Sequence, residues 1–346
     1  MNTLDPNSSV REAIACLESA PEKYVCIVGD EQRFLGLFTQ GDMRRYLLAG
    51  GGLSDSICRA MNSNPQVFRS RDEAVEASSS LPLSVYPVVD DAGRLSDCFC
   101  KGDPVYAAMR EHPLRDTPLV IMAGGKGTRL YPYTKVLPKA LVPIGEKTII
   151  ERVIDGFAAW GCREVYIIVK HKARMIKAYF DDLETDYAVH FIEEREFLGT
   201  GGGLALLKGM VRAPFFLSNC DILVNADYDC VMKTHRANGD LITFVAAMKD
   251  VEVPYGVIVT RPDGSASSLQ EKPRYSFLTN TGVYYIDPQV IEELPCNTFM
   301  HITDIAQHYI DEDRRVGVFP VSEKSWLDMG QMKEMSHMLK ELGVDE

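Results

Sequence analysis

Pro118-Leu-Val-Ile-Met-Ala-Gly-Gly-Lys-Gly-Thr-Arg-Leu-Tyr-Pro-Tyr-Thr-Lys-Val-Leu-Pro-Lys139 opens with a short apolar run, Leu119 to Met122, and then breaks into glycines. The run reads as a buried strand and the break as a turn. Three glycines in four positions, Gly124, Gly125 and Gly127, suit a backbone that must approach a ligand closely or take up positive φ. Exposed N–H groups in such a turn form an anion-binding nest, and Lys126, Arg129 and Lys139 add positive charge. A phosphorylated ligand is expected here. The loop is not a Walker A motif, because Gly127 follows Lys126 and Val120 stands where the first glycine belongs. Nor is it the dinucleotide fingerprint, because Leu130 occupies the third glycine position.

Downstream, apolar periodicity predicts a helix from Thr148 to Trp160 closed by Gly161, then a strand at Val165 to Val169. Alternation continues through helix 172–180, a strand near 189–192, a helix near 203–209, strand 215–218, a helix near 227–237 and strand 241–247. Strands alternating with helices imply an α/β fold with a mainly parallel sheet. Ligands of such folds gather beyond the carboxyl ends of the strands, where both the glycine loop and Asp221 would lie.

At 346 residues, 46% apolar and 25% charged, the chain has room for two ordinary globular domains. A net charge of −12 gives no general attraction to nucleic acid or an anionic membrane, so any phosphate site must be a local basic island. Nine cysteines without Cys-x-x-Cys pairs argue for a reducing cytoplasm and against structural zinc. Cys98-x-Cys100 reads as one face of a strand. No apolar run approaches the ~20 residues of a membrane span, and Met1 to Asp5 does not read as a signal peptide.

The first hundred residues contain a repeat. Tyr24 to Asp42 aligns without gaps on Val85 to Asp103, with Asp30 falling on Asp91. Each copy reads strand, turn, strand, then Gly-Asp at the start of a helix. Val10, Ala13, Ile14 and Leu17 form an amphipathic stretch before the first copy. This pattern resembles a tandem pair of cystathionine-β-synthase (CBS) repeats over residues 1–112, followed by a linker at 113–117. The resemblance implies an adenine-nucleotide or pathway-product site at Thr39 and Asp42, in Gly36-Leu-Phe-Thr39-Gln-Gly-Asp42. The second copy keeps only Asp103 of that motif. A structural or dimerising module is the alternative, and such pairs commonly self-associate into homo-oligomers.

The glycine loop with its Thr-Arg-Leu-x-Pro-x-Thr continuation and Pro138-Lys139 resembles the signature of the sugar-1-phosphate nucleotidylyltransferases. That family implies a Rossmann-like, GT-A-like domain over residues 118–346. It also implies the reaction of a nucleoside triphosphate with a sugar 1-phosphate to give an NDP-sugar and pyrophosphate. Later segments match in order: Glu196-Phe-Leu-Gly-Thr-Gly201, Pro254-Tyr255-Gly256, Glu271-Lys272-Pro273, Asn280-Thr-Gly282 and Trp326-Leu-Asp328-Met-Gly330. By resemblance, Ala123, Gly124, Gly125, Gly127, Thr128, Glu196 and Gly201 take the nucleotide. Tyr255, Gly256, Glu271 and Asn280 take the sugar. Arg129, Lys139 and Lys272 act on the phosphates, and Asp221 and Asp328 hold Mg²⁺. Gly201, where the family usually has alanine, is expected to loosen the pocket. His301 is expected at a helix start, and His235 and His308 are expected to be structural.

The CBS fusion is most similar to guanylyltransferases that make GDP-glucosamine for legionaminic acid. GTP and glucosamine 1-phosphate are therefore the expected substrates. Mannose-1-phosphate guanylyltransferase and glucose-1-phosphate uridylyl- or thymidylyltransferase are the alternatives, and a non-catalytic nucleotide-sugar sensor is the alternative of another class.

Overall fold

The computed structural model describes residues 2–20, 23–78, 81, 83–100, 111–330 and 332–343. In the N-terminal module, helix Val10–Ser19 buries Val10, Ala13, Ile14 and Leu17, the expected apolar face. Its start is a capping box: Glu12 N–H donates to Ser9 Oγ at 3.2 Å, while Ser9 N–H donates to Glu12 Oε2 at 2.7 Å. Strands Tyr24–Val28 and Phe34–Thr39 pair antiparallel, as do Val85–Val89 and Leu95–Cys100.

The sequence repeat is a structural repeat at this level. Tyr24 faces Thr39 as Val85 faces Cys100, and the register slips at Ile27/Val28 as it does at Val88/Val89. Arg33 and Arg94, equivalent positions of the two copies, bridge each other directly, which places the two hairpins back to back about a local twofold relation. Asp103 and the helix expected after it lie outside the described residues. Cys98 and Cys100 stand on one strand, as expected.

The larger module is built on a seven-stranded sheet. Its strand order is Ala188–Glu193, Glu164–Val169, Leu119–Ala123, Phe215–Asn219, Arg274–Ile286, Ile242–Glu252 and Val316–Ser322. Only Arg274–Ile286 runs antiparallel to its neighbours. The central strand Leu119–Ala123 is buried throughout, as a strand covered on both faces must be. Leu119 and Ile121 enter one core with Ile150, Ile154 and Phe157 of helix Ile149–Ala158; Val120 and Met122 enter the other with Leu204, Ile305 and Tyr309. Among the described residues no helix is long and apolar enough to cross a membrane.

Three local expectations changed. The segment expected as helix 203–209 is a 3-10 helix, Gly202–Leu207, because Gly202 and Gly203 occupy its first turn. Strand 241–247 is longer, and Ile242–Glu252 and Arg274–Ile286 run past the sheet as a two-stranded arm. The expected linker is not free chain: Leu114 is fully buried in the large core, and its N–H donates to Trp160 C=O at 3.1 Å.

Candidate functional site

The central strand delivers Ala123 and Gly124 to the carboxyl edge of the sheet. Gly127 then takes φ 65, and a Cβ there would stand 2.9 Å from both Lys139 Cβ and Thr134 Cγ2, so only glycine lets the loop close this tightly. Thr134 Oγ1 donates to Gly127 C=O at 2.8 Å, and buried Leu130 anchors the turn Thr128–Leu130. Gly125, Lys126, Thr128 and Arg129 remain exposed above it. Lys172 Nζ donates to the carbonyls of Thr134, Lys135 and Val136 at 2.7–3.0 Å, closing the end of the short helix before Lys139.

Asp221 arrives from the neighbouring strand, in which Asn219 pairs with Met122. Asp328 arrives from the far end of the sequence through a short antiparallel ribbon, Ile222–Val224 against Trp326–Asp328, in which Ile222 faces Asp328. Met329 N–H donates to Asp221 C=O at 3.0 Å. Burial, and then the Asp221 carboxylate, hold the Asp328 carboxyl above its ordinary value. Lys139 Nζ donates to Asp221 Oδ2 in a largely buried ion pair. Gly124, Gly125, Arg129, Lys139, Asp221 and Asp328 line one cleft of about 300 Å³. The cleft offers no activated nucleophile: the buried thiol of Cys220 is pushed up to about 12.

A residue not singled out from the sequence stands behind the loop. Glu194 ends the strand Ala188–Glu193 with its side chain turned inward, 3% exposed, between Gly124 and Gly203. Oε1 accepts from Leu198 N–H at 3.4 Å, and Oε2 has no partner among the described residues. Burial raises its pKa. Glu196, named from the motif, is exposed, and neither Glu194 nor Glu196 lines the cleft. The available signal was strand alternation: Glu193 points out to Lys177 at 2.8 Å, so Glu194 must point in.

Gly201 does not loosen the pocket. A Cβ there would lie 2.6 Å from Ile305 Cδ1, 2.8 Å from Ile302 N and 2.9 Å from His301 C, so glycine is what lets helix Ile302–Asp311 pack against the loop. His301 sits at the start of that helix, and His235 Nδ1 lies 2.9 Å from Thr243 Oγ1 in the core, as expected. His308 lies on the same helix near Glu312.

The expected sugar residues are split. Asn280 lies close to the cleft: its side-chain Oδ1 accepts from Gly282 N–H at 3.0 Å, and a Cβ on Gly282 would meet Asn219, a lining residue. Tyr255, Gly256, Glu271 and Lys272 are exposed on the arm and do not line the cleft. At the N-terminal module, Thr39 and Asp42 form the capping box of helix Gln40–Leu48, with Thr39 N–H donating to Asp42 Oδ2 at 2.9 Å and Arg45 paired to Oδ1.

Residues 119–343 match the nucleotidyl transferase family, and residues 1–49 match the CBS domain. The chain belongs to the nucleotidyl transferase family. A mannose-1-phosphate guanyltransferase of Aspergillus fumigatus is 32% identical over 62% of this chain and 61% of its own length. The beta catalytic subunit of mannose-1-phosphate guanylyltransferase from Drosophila pseudoobscura pseudoobscura is 30% identical over 63% and 60%. The chain thus spans about three fifths of the length of these relatives. Its fold is similar to the crystal structure of HddC from Yersinia pseudotuberculosis, at TM-score 0.52 and 23% identity over 65% of this chain and 99% of that one. The nucleotidyl transferase match begins on the central strand and takes in the loop, Lys139, Asp221 and Asp328. The CBS match takes in Thr39 and Asp42 of the first repeat and ends before the second.

Proposed function

We propose that this nucleotidyl transferase moves a nucleotidyl group from GTP to a sugar 1-phosphate, releasing pyrophosphate. The observation that carries the reading is the meeting of Lys139 with Asp221 and Asp328 beneath the Arg129-bearing glycine loop. A sugar phosphate is already a nucleophile; the obstacles are repulsion between two polyanions and charge growing on the leaving group. Fixed cations and loop N–H groups answer both. Arg129 and the loop hold the β- and γ-phosphates, and Lys139 neutralises the reacting phosphate. Lys272, exposed beside the arm, is assigned to the acceptor phosphate by its Glu-Lys-Pro motif.

The donor set fits Mg²⁺. Two carboxylates, one held by burial and repulsion in a costly ionised state, invite a cation, and Lys139 is the cation that now stands on one of them. Among the described residues no third acidic, His or Cys ligand joins them, which suits an ion that completes its shell with water and substrate phosphates. When bound, Mg²⁺ would neutralise charge on the transferring phosphates.

Guanine is favoured by Glu194. Guanine presents two adjacent donors on one edge, N1–H and the 2-amino group, and the Glu194 carboxylate is their complement once the loop at Gly124 opens onto it, since Glu194 lies buried behind that loop and does not line the cleft. The acceptor expected from the sequence is glucosamine 1-phosphate, while the similar curated proteins carry mannose 1-phosphate in their names. Pyrophosphate release, scored over four nucleoside triphosphates and a set of hexose and hexosamine 1-phosphates, tests all of this. GTP with one of the two acceptors is the expected pair; a preference for UTP or dTTP removes the guanine assignment. Release with no pair, together with nucleotide-sugar binding, favours a sensor.

A further inference from the structure

A second cleft, of about 400 Å³, lies between the two modules; it shares no lining residue with the catalytic cleft or with the groove beside Asp42 and Arg45, and Gln40 of the Thr39–Asp42 motif lies on its wall. The N-terminal module contributes Leu17, Glu18, Met43 and Arg44; the large module contributes Ser322 and Lys324, with Phe319 below. The modules are tied around it. Arg11 pairs with Asp250 and donates to Ser276 Oγ at 2.8 Å, and Ser322 Oγ donates to Glu18.

Charge in this cleft is unevenly spent. The Glu18 carboxylate is engaged by Ser322 and lies 3.6 Å from Lys324, and Asp227 caps the next helix by accepting from Cys230 N–H at 2.9 Å. Arg44 lies with its guanidinium carbon 4.6 Å from the centre of the Phe319 ring and has no carboxylate partner among the described residues. A guanidinium stacked on an aromatic ring keeps its N–H edge free, in the planar geometry that matches phosphate oxygens. Lys324 stands at the rim with most of its side chain in solvent. Lys23, Arg44 and Lys324 set three cations against the two carboxylates of Glu18 and Asp227, so in a chain of net charge −12 this cleft carries a small positive excess, over an apolar floor of Leu17 and Met43 and in a volume within the range of small-molecule sites.

The cleft also touches the catalytic carboxylates through the ribbon. Asn225 and Ser325 line the cleft, and Asn225 N–H donates to Ser325 C=O at 2.8 Å. From that bond the two strands run together for three pairs, Val224 with Trp326 to Ile222 with Asp328. They end in Asp221 and Asp328 about 10 Å away. Trp326, at the cleft end, buries its indole N–H without an acceptor among the described residues.

We propose that the inter-module cleft is an effector site for a small phosphorylated anion of nucleotide size, bound by Arg44 and Lys324. Occupancy is transmitted along the Ile222–Val224/Trp326–Asp328 ribbon to the spacing of Asp221 and Asp328. The inference concerns binding at a site outside the catalytic cleft, so it stands or falls separately from the choice of base and sugar.

The test uses the full chain, with AMP, glucose 6-phosphate and inorganic phosphate as probes that separate nucleoside, sugar and bare phosphate recognition. Calorimetry is expected to show one of them binding to the native protein and binding at least tenfold more weakly to Arg44→Ala, whose basal turnover is unchanged. In a Trp160→Phe background, where Trp326 is the one remaining tryptophan, the same probe is expected to shift the emission, and the shift to vanish in Arg44→Ala. Binding of none of the three probes overturns the site. So does binding that survives Arg44→Ala but is lost in Arg45→Ala, which assigns the ligand to the groove beside Asp42 and Arg45. Binding at Arg44 with unchanged Trp326 emission and an unchanged magnesium requirement overturns the coupling.

Discussion

Met329 N–H donates to the Asp221 carbonyl at 3.0 Å, and this bond continues the Ile222–Val224/Trp326–Asp328 ribbon up to the metal-binding carboxylates expected from the sequence. Because Ile222 faces Asp328 in the adjoining pair, the two carboxylates are held on one side of the ribbon and open into one cleft. The arrangement is unfavourable by itself, since burial and the Asp221 carboxylate raise the cost of ionising Asp328.

That cost makes an opposed pair of effects. Asp328 is held above its ordinary 3.8, so its contribution to stability is complete below that pH and lost as pH rises through the folded-state value. Asp328→Asn removes the penalty. It is expected to raise Tm at pH 7 relative to the native chain and to lower turnover by at least ~10²-fold, the usual loss for one preorganised electrostatic contact. Asp221→Ala should lose turnover to the same degree. Thermal melts from pH 4 to 8 and pyrophosphate release check both halves; turnover within tenfold of native in either variant removes the metal assignment.

Glu194→Gln keeps the shape and removes the charge. GTP turnover, as kcat/KM, is expected to fall by about ten- to a hundredfold, corresponding to the ~1–3 kcal/mol of discrimination in one bidentate base contact. Other triphosphates should change little. Glu196→Gln, at an exposed position, should leave all of them unchanged. Competition between GTP and UTP in one reaction reads the ratio directly.

Gly201→Ala tests whether the second glycine turn is loose or tight. With backbone atoms of His301 and Ile302 within 3 Å of the added carbon, the helix must shift. The expected loss is about 1–3 kcal/mol of stability, typical of overpacking. Chemical denaturation measures it; a neutral result restores the looser pocket.

Leu114→Ala asks where the large module begins. Leu114 is fully buried against Trp160 and its neighbours. Its truncation is expected to destabilise that module by about 2–5 kcal/mol, as core leucines do. A true linker position would change the denaturation midpoint hardly at all.

Much of the fold was written in local pattern. Leu119 to Met122, Val165 to Val169 and Phe215 to Ser218 are strands because unbroken apolar runs of that length fit a sheet covered on both faces. The helix after Thr148 begins there because Thr148 and Glu151 form a capping box. The repeat in the first hundred residues foretold two hairpins of equal register, since identical spacing of strand and turn residues builds identical hairpins.

What the sequence determined by itself was therefore the set of elements, the glycine loop and the identities of Lys139, Asp221 and Asp328. Tertiary structure decided which groups share a space. It set Glu194 between Gly124 and Gly203, drew Leu114 into the core, required glycine at 201, and set a cleft against the ribbon that carries the two aspartates. Each of these depends on atoms brought together from distant parts of the chain. Periodicity and short motifs record only what neighbours along the backbone do.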